Sequence, residues 1–80
     1  MTYMFEVYYK LPADSEKEAA LLQCVAKLGG RLNYREEPQN DLAAGVCLTY
    51  GFDRLEQAEA AAESLRRQGE HVEGPQDYGP

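Results

Sequence analysis

The first part of the chain alternates between apolar and more polar side chains. The apolar positions are Tyr3, Phe5, Val7, Tyr9 and Leu11, and the positions between them are Met4, Glu6, Tyr8 and Lys10. Because side chains in a strand point alternately to the two faces of a sheet, this period of two predicts a β-strand with one apolar face. Pro12 has no amide hydrogen to donate, so it ends the strand. A chain of 80 residues has room for one small domain, and this strand must help to build its core.

A helical spacing follows Pro12. The apolar positions are Leu21, Leu22, Val25 and Leu28. Their separation by three or four residues predicts an amphipathic helix, which Gly29 and Gly30 end. The sequence offers two N-terminal caps for it. Ser15 forms the S-x-x-E pattern of a capping box with Glu18, and Asp14 is the rival cap.

A second helix is predicted from Leu55 to Gln68, before Gly69. Its apolar stripe consists of Leu55, Ala58, Ala62 and Leu65. Asp53 and Glu56 form a second capping pair at its start. The small side chains of the stripe predict that this helix packs closely against its neighbour.

Three further short strands complete the pattern, at residues 31–35, 46–50 and 71–73. The order βαββαβ is that of the ferredoxin-like split βαβ fold, an α+β domain in which two helices cover one face of a four-stranded antiparallel sheet. We expect the first strand to lie at the centre of this sheet. The predicted domain comprises residues 1–74, and residues 75–80 form a tail rich in glycine and proline, in which Tyr78 either docks on the sheet edge or frays.

The alternation assigns each strand residue to a face of the sheet. We expect the helices to cover Tyr3, Phe5, Val7, Tyr9, Leu32, Tyr34, Val46, Leu48, Tyr50 and Val72. No element of this chain is left to cover the other face. Its predicted interface residues are Met4, Glu6, Tyr8, Lys10, Arg31, Arg35, Cys47 and Thr49. An apolar centre with charges around it is typical of a protein interface, and the two interpretations are a symmetric homodimer and a monomer with a solvated face.

Charge and cysteine spacing argue against several classes of function. The net charge of −6 opposes binding to nucleic acids and to anionic membranes. No stretch is apolar enough to cross a membrane and the N-terminus lacks the pattern of a secretory leader, so we expect a cytoplasmic protein. Cys24 and Cys47 are far apart and belong to no CxxC motif, so we expect free thiols, no metal and no cofactor.

No arrangement of side chains in the sequence predicts catalysis. His71 has Glu73 nearby but no further group suited to general acid or base chemistry, and Ser15 is explained as a cap. We therefore expect a protein that is not an enzyme. The alternative is a small cofactor-independent dimeric enzyme in which Tyr34, Tyr50 or His71 transfers a proton in a pocket between helices and sheet.

The second half of the chain resembles ACT domains. In residues 48–59 and 64–72, a strand, an acidic cap, an alanine-rich helix and a short glycine-led strand follow one another. ACT domains are regulatory modules that bind amino acids, usually where the loop after the first strand meets the first helix at a dimer interface. The resemblance implies an amino acid or a related small metabolite as the ligand, with Asp14, Ser15 and Asn33 as the binding residues. The alternative is an adaptor that binds a protein partner through the uncovered face of the sheet.

Overall fold

The chain alternates strands and helices in the predicted order. A computed structural model describes residues 2–38 and 45–77. Its elements are β1 (Tyr3–Tyr9), α1 (Ser15–Lys27), β2 (Arg31–Glu36), β3 (Val46–Phe52), α2 (Leu55–Arg67) and β4 (His71–Asp77). The strands form one antiparallel sheet in the order β2-β3-β1-β4, and both helices pack on one of its faces. The predicted α+β ferredoxin-like fold is therefore confirmed, with β1 in a central position.

The alternation in β1 and β3 builds the core. Phe5 and Val7 of β1 point toward the helices and are at most 1% exposed. The Phe5 ring lies 5.4 Å from the ring of Phe52 and 5.7 Å from that of Tyr50, measured between centroids. The other fully buried residues of this layer are Val46 and Leu48, and the helices add Leu21, Val25, Ala58, Ala61, Ala62 and Leu65. The alanines let α2 lie close to the sheet, as the sequence predicts.

The start of α1 uses the rival cap. The Asp14 Oδ1 atom accepts a hydrogen bond from the backbone N–H of Lys17 at 3.0 Å, so Asp14 is the N-cap. Ser15 is the first residue of the helix. The predicted capping box between Ser15 and Glu18 is therefore wrong, and the Glu18 side chain takes part in a different network, described below.

The start of α2 also differs from the prediction. Arg54 occupies the N-cap position without a side-chain hydrogen bond to the helix. Asp53, the predicted cap, instead faces Arg31, with 3.4 Å between Oδ1 and Nη1. The buried stripe shifts as well, because Leu55 is 40% exposed and Ala61 takes its place in the core.

Strand β4 continues beyond its predicted end. Its pairing with β1 extends to Asp77, past a register shift near Gly74. The Nη2 atom of Arg66 donates hydrogen bonds to two backbone carbonyls of β4, at 3.2 and 2.7 Å, and so ties the end of α2 to this strand. Residues 75–77 thus belong to the sheet rather than to an irregular tail, whereas the predicted docking of Tyr78 lies outside the described residues.

Gly30 lies where the turn after α1 touches the core. A Cβ atom at this position would lie 2.5 Å from ring carbons of Phe52 and 2.6 Å from Cγ1 of Val25. Both neighbours are fully buried. No side chain larger than hydrogen therefore fits between α1 and β3 at this point.

Replacing Gly30 with alanine is expected to lower the free energy of unfolding by about 1–3 kcal/mol, because an overpacked core must shift to accept the methyl group. The measurement is urea denaturation of the wild-type and variant proteins. In a Phe52→Leu background, which removes the ring atoms that lie in the way, the same substitution should cost less. An equal cost in both backgrounds would show that the contact with Phe52 does not matter.

Candidate functional site

The open face is the side of the sheet that neither helix covers. The pairing register arranges its side chains in three rows that run across the four strands from β2 to β4. The rows are Glu36, Cys47, Tyr8 and His71; then Tyr34, Thr49, Glu6 and Glu73; then Arg31, Gly51, Met4 and Gln76. Each strand contributes one residue to each row, so the register specifies which side chains are neighbours on this face.

A bulge in β2 reverses the faces of two predicted residues. The pairing of β2 with β3 skips Asn33. Beyond it, Tyr34 pairs with Thr49 on the open face and is 59% exposed, although the alternation predicts it under the helices. Arg35 pairs with the buried Leu48 and lies on the helix side instead of in the predicted interface. Both predictions are wrong because one inserted residue reverses the alternation of a strand.

Asn33 itself lies on the open face. Its Nδ2 atom is 3.3 Å from the sulfur of Met4, and a Cβ atom on Gly51 would come within 2.3 Å of that nitrogen. The missing side chain at Gly51 thus makes room for the amide. Asp14 and Ser15 lie at the start of α1, which packs on the opposite face of the sheet. The structure therefore does not bring Asn33 together with the other two predicted ligand-binding residues.

Most of the predicted interface residues do share one surface. Those in the three rows are Met4, Glu6, Tyr8, Arg31, Cys47 and Thr49. Lys10 follows directly after β1 and is exposed. Carboxylates lie mainly on the β1 and β4 side, where His71 Nε2 is 3.1 Å from Glu73 Oε2, while β2 contributes the guanidinium of Arg31. The open face is thus mainly polar, with most of its negative charge near β1 and β4 and a positive charge on β2.

Two titratable groups near the centre of the open face keep their protons at neutral pH. Burial raises the pKa of the Cys47 thiol, whose sulfur lies 3.6 Å from a carboxylate oxygen of Glu6. Desolvation raises the pKa of Tyr8, and the hydrogen bond with Cys47 and the charges of Glu6 and Glu73 raise it further. These groups therefore supply hydrogen-bond donors and not nucleophiles, since the thiolate is the reactive form of cysteine.

On the helix side, Arg35 joins a network at the start of α1. Its Nε and Nη2 atoms donate to the two carboxylate oxygens of Glu18, at 2.7 and 3.0 Å. The Tyr9 hydroxyl also donates to Glu18 and accepts a hydrogen bond from the backbone N–H of Asp14 at 2.9 Å. The network ties β1, α1 and β2 together. Regular alternation places Arg35 on the other face, so the sequence pattern gives no sign of this network.

A shallow hollow lies beside the loop between β1 and α1. Its volume is about 550 Å³, and its lining residues are Tyr9, Lys10, Pro12, Ala13, Asp14, Ser15, Glu16 and Lys17. Lys17 Nζ lies 3.0 Å from a carboxylate oxygen of Glu70 and 5.4 Å from the centre of the Tyr9 ring. Asp14 and Ser15 therefore border this hollow, and Asn33 does not.

The three residues of the alternative enzyme hypothesis lie apart. Tyr50 is buried on the helix side of the sheet, where desolvation raises the pKa of its hydroxyl. Tyr34 and His71 lie on the open face, but on the two edge strands of the sheet. No pair of these groups is therefore placed to transfer a proton to one shared substrate.

Comparison with known proteins does not assign the chain to a family. No protein-family model matches the sequence, and no curated protein is significantly similar to it. Within residues 2–38 and 45–77, no helix is long and apolar enough to cross a membrane. In the same ranges, no three histidine, cysteine, aspartate or glutamate side chains are grouped so as to hold a metal ion. The two cysteines are free thiols, as predicted.

The network at the start of α1 predicts a pH-dependent stability. The hydrogen bonds from Arg35 hold the pKa of Glu18 below its usual range, and the Tyr9 hydroxyl acts in the same direction while burial opposes both. A carboxyl group whose pKa is lowered by folding stabilises the protein above its unfolded pKa, and this contribution is lost as the pH falls through the folded pKa.

Glu18→Gln is therefore expected to lower the free energy of unfolding by about 1 kcal/mol at neutral pH. The difference from wild type should shrink as the pH falls below the unfolded glutamate pKa of about 4.3 and through the lower folded pKa of Glu18, where the carboxyl becomes neutral. Urea denaturation at neutral and acidic pH measures this. Glu59→Gln is the matched control, because Glu59 is exposed on α2 and makes no ion pair within the described part of the chain. A pH-independent loss in Glu18→Gln would show that its charge does not contribute.

Proposed function

We propose that the protein is a small non-catalytic binding domain that self-associates by packing its open face against that of a second copy. The observation that carries this proposal is the order of residues in the three rows. A two-fold axis parallel to the strands, between β3 and β1, places β2 of one copy over β4 of the other. Each row then faces its own reverse, and the opposing residues are complementary.

The middle row supports the proposal through hydrogen bonding. In this arrangement Tyr34 faces Glu73 of the second copy, and Thr49 faces Glu6 of the second copy. Each hydroxyl is thus opposite a carboxylate that accepts its hydrogen bond. The two-fold axis repeats both pairs, so one row supplies four contacts between a donor and a charged acceptor, which are stronger than those between neutral groups.

The outer rows are complementary in charge and in size. Glu36 of one copy faces His71 of the other, which places a carboxylate opposite an imidazole. Arg31 faces the neutral amide at the far end of its row rather than another cation. Met4 of one copy faces Gly51 of the other, which has no side chain of its own. No row therefore opposes two charges of the same sign.

The edges of the sheet are poorly suited to association. In β2 the bulge at Asn33 interrupts the ladder, and charged side chains flank it. In β4, Pro75 has no N–H to donate, and the neighbouring Gly74 has a φ of +110°. Both features discourage the pairing of an edge strand with another chain. The edges are thus less suited to a symmetric contact than the open face.

The size of the open face limits the affinity. Four strands spaced ~4.8 Å apart, each of about seven residues with a rise of ~3.3 Å, outline a rectangle of roughly 450 Å². Relief of the side chains adds to this, but the contact is at the small end of specific interfaces, which bury about 800 Å² per partner. We therefore expect a reversible dimer whose population depends on protein concentration.

The second candidate function is the ACT-like one, in which the domain senses an amino acid or a related small metabolite. The observation in its favour is the hollow beside the loop between β1 and α1. Ammonium groups of Lys10 and Lys17 and carboxylates of Asp14 and Glu16 line it, so it offers both signs of charge that a zwitterionic ligand requires. Asn33 has no part in this version of the site.

For self-association, Tyr34→Glu is expected to weaken the dimer at least about tenfold, because it removes a hydroxyl donor and places a carboxylate opposite that of Glu73 in the second copy. Gln23→Glu adds the same charge on the exposed side of α1 and should leave the dimer unchanged. Sedimentation equilibrium over a range of protein concentrations measures both. A wild-type protein that stays monomeric would contradict the proposal and leave the open face to a different protein partner.

For the ACT-like function, titration of the labelled protein with pooled amino acids and common metabolites should produce saturable amide shifts at residues 12–17. Asp14→Asn keeps an N-capping side chain but removes the charge, so it is expected to weaken binding of an amino acid without unfolding α1. Asp53→Asn is the matched control at the start of α2. An unchanged spectrum throughout the titration would reject this function.

A further inference from the structure

A second hollow lies at the end of the open face, where β1 ends and β4 begins. Its volume is about 330 Å³, and it is lined by Tyr8, Tyr9, Lys10, Gly45 and His71. Small-molecule sites usually occupy ~300–1,000 Å³, so this one has room for a ligand with a single ring. It shares only Tyr9 and Lys10 with the hollow beside α1.

Aromatic side chains form two walls of this hollow. The ring centroids of Tyr8 and His71 lie 5.8 Å apart, with an angle of 59° between the ring planes. Desolvation raises the pKa of the Tyr8 hydroxyl, so the ring stays neutral at physiological pH. A flat apolar group between such walls gains both buried area and favourable ring-to-ring contacts.

The cation at the rim of this hollow is the ammonium group of Lys10. Lys10 is exposed and makes no ion pair among the residues that the structure describes. Of the carboxylates nearby, that of Glu73 faces His71 at 3.1 Å, and that of Glu6 acts on Tyr8 from the neighbouring row. The charge that complements the Lys10 end of the hollow is therefore negative.

We propose that this hollow binds an aromatic carboxylate, whose ring packs against Tyr8 and His71 while its carboxylate meets the ammonium group of Lys10. This inference goes beyond self-association and concerns the monomer, because Tyr8 and His71 also face the second copy in the proposed dimer. The titration below is therefore made at a protein concentration where sedimentation shows a monomer. The hollow lies at the margin of the open face, next to the outer row that contains Tyr8 and His71.

The test is an amide chemical-shift titration of the labelled wild-type protein with benzoate at neutral pH. Saturable shifts confined to residues 8–10, 45 and 71 are expected. Lys10→Gln should weaken benzoate binding about five- to tenfold, because one charge-assisted contact is lost. Lys27→Gln removes an exposed ammonium from the last turn of α1 and should leave the affinity for benzoate unchanged.

Two further probes separate ring from charge. Cyclohexanecarboxylate keeps the charge without the aromatic ring and should bind more weakly than benzoate, and benzyl alcohol keeps the ring without the charge and should also bind more weakly. Equal affinities of the three probes, shifts centred on residues 12–17, or a Lys10→Gln variant that binds as wild type does would each overturn the proposal. Sedimentation of the Lys10→Gln variant distinguishes this outcome from a failure of self-association, because Lys10 lies in none of the three rows.

Discussion

Two helices can cover only one face of a four-stranded sheet, and the rest of the structure depends on this limit. The central strands β1 and β3 direct every second side chain into a core that α1 and α2 close. The side chains between them have no covering layer within the described chain. Their chemistry is that of a surface, so any function of the sheet resides either on the open face or in the loops at the ends of its strands.

Much of the fold is predictable from the sequence because strands β1 and β3 and both helices bury one face each. Burial makes the hydrophobic period informative, and these elements follow theirs except at the start of α2, where Leu55 is exposed. Strand β2 differs, since every one of its residues is exposed. Its alternation of Leu32 and Tyr34 therefore reflects no burial, and the bulge between them leaves no trace in the pattern.

The choice of cap at α1 also depends on contacts that local sequence does not contain. Asp14 and Ser15 are both good capping residues. The Tyr9 hydroxyl accepts a hydrogen bond from the backbone N–H of Asp14, and Glu18 is held by Arg35 from a distant strand.

Most of the open-face residues can be predicted from alternation alone. The order of residues within the rows cannot, because it depends on the pairing register of the strands. The hollow at Lys10 cannot either, because it depends on the pairing of β1 with β4.

The single extra residue at Asn33 has a consequence for any comparison of related sequences. In a related chain that lacked this one residue, Tyr34 would face the helices and Arg35 would lie on the open face. Both amino acids would be unchanged. An alignment without a gap here would match an exposed tyrosine with a residue that faces the helices. The surface offered to a partner is therefore encoded by the length of β2 as much as by its composition.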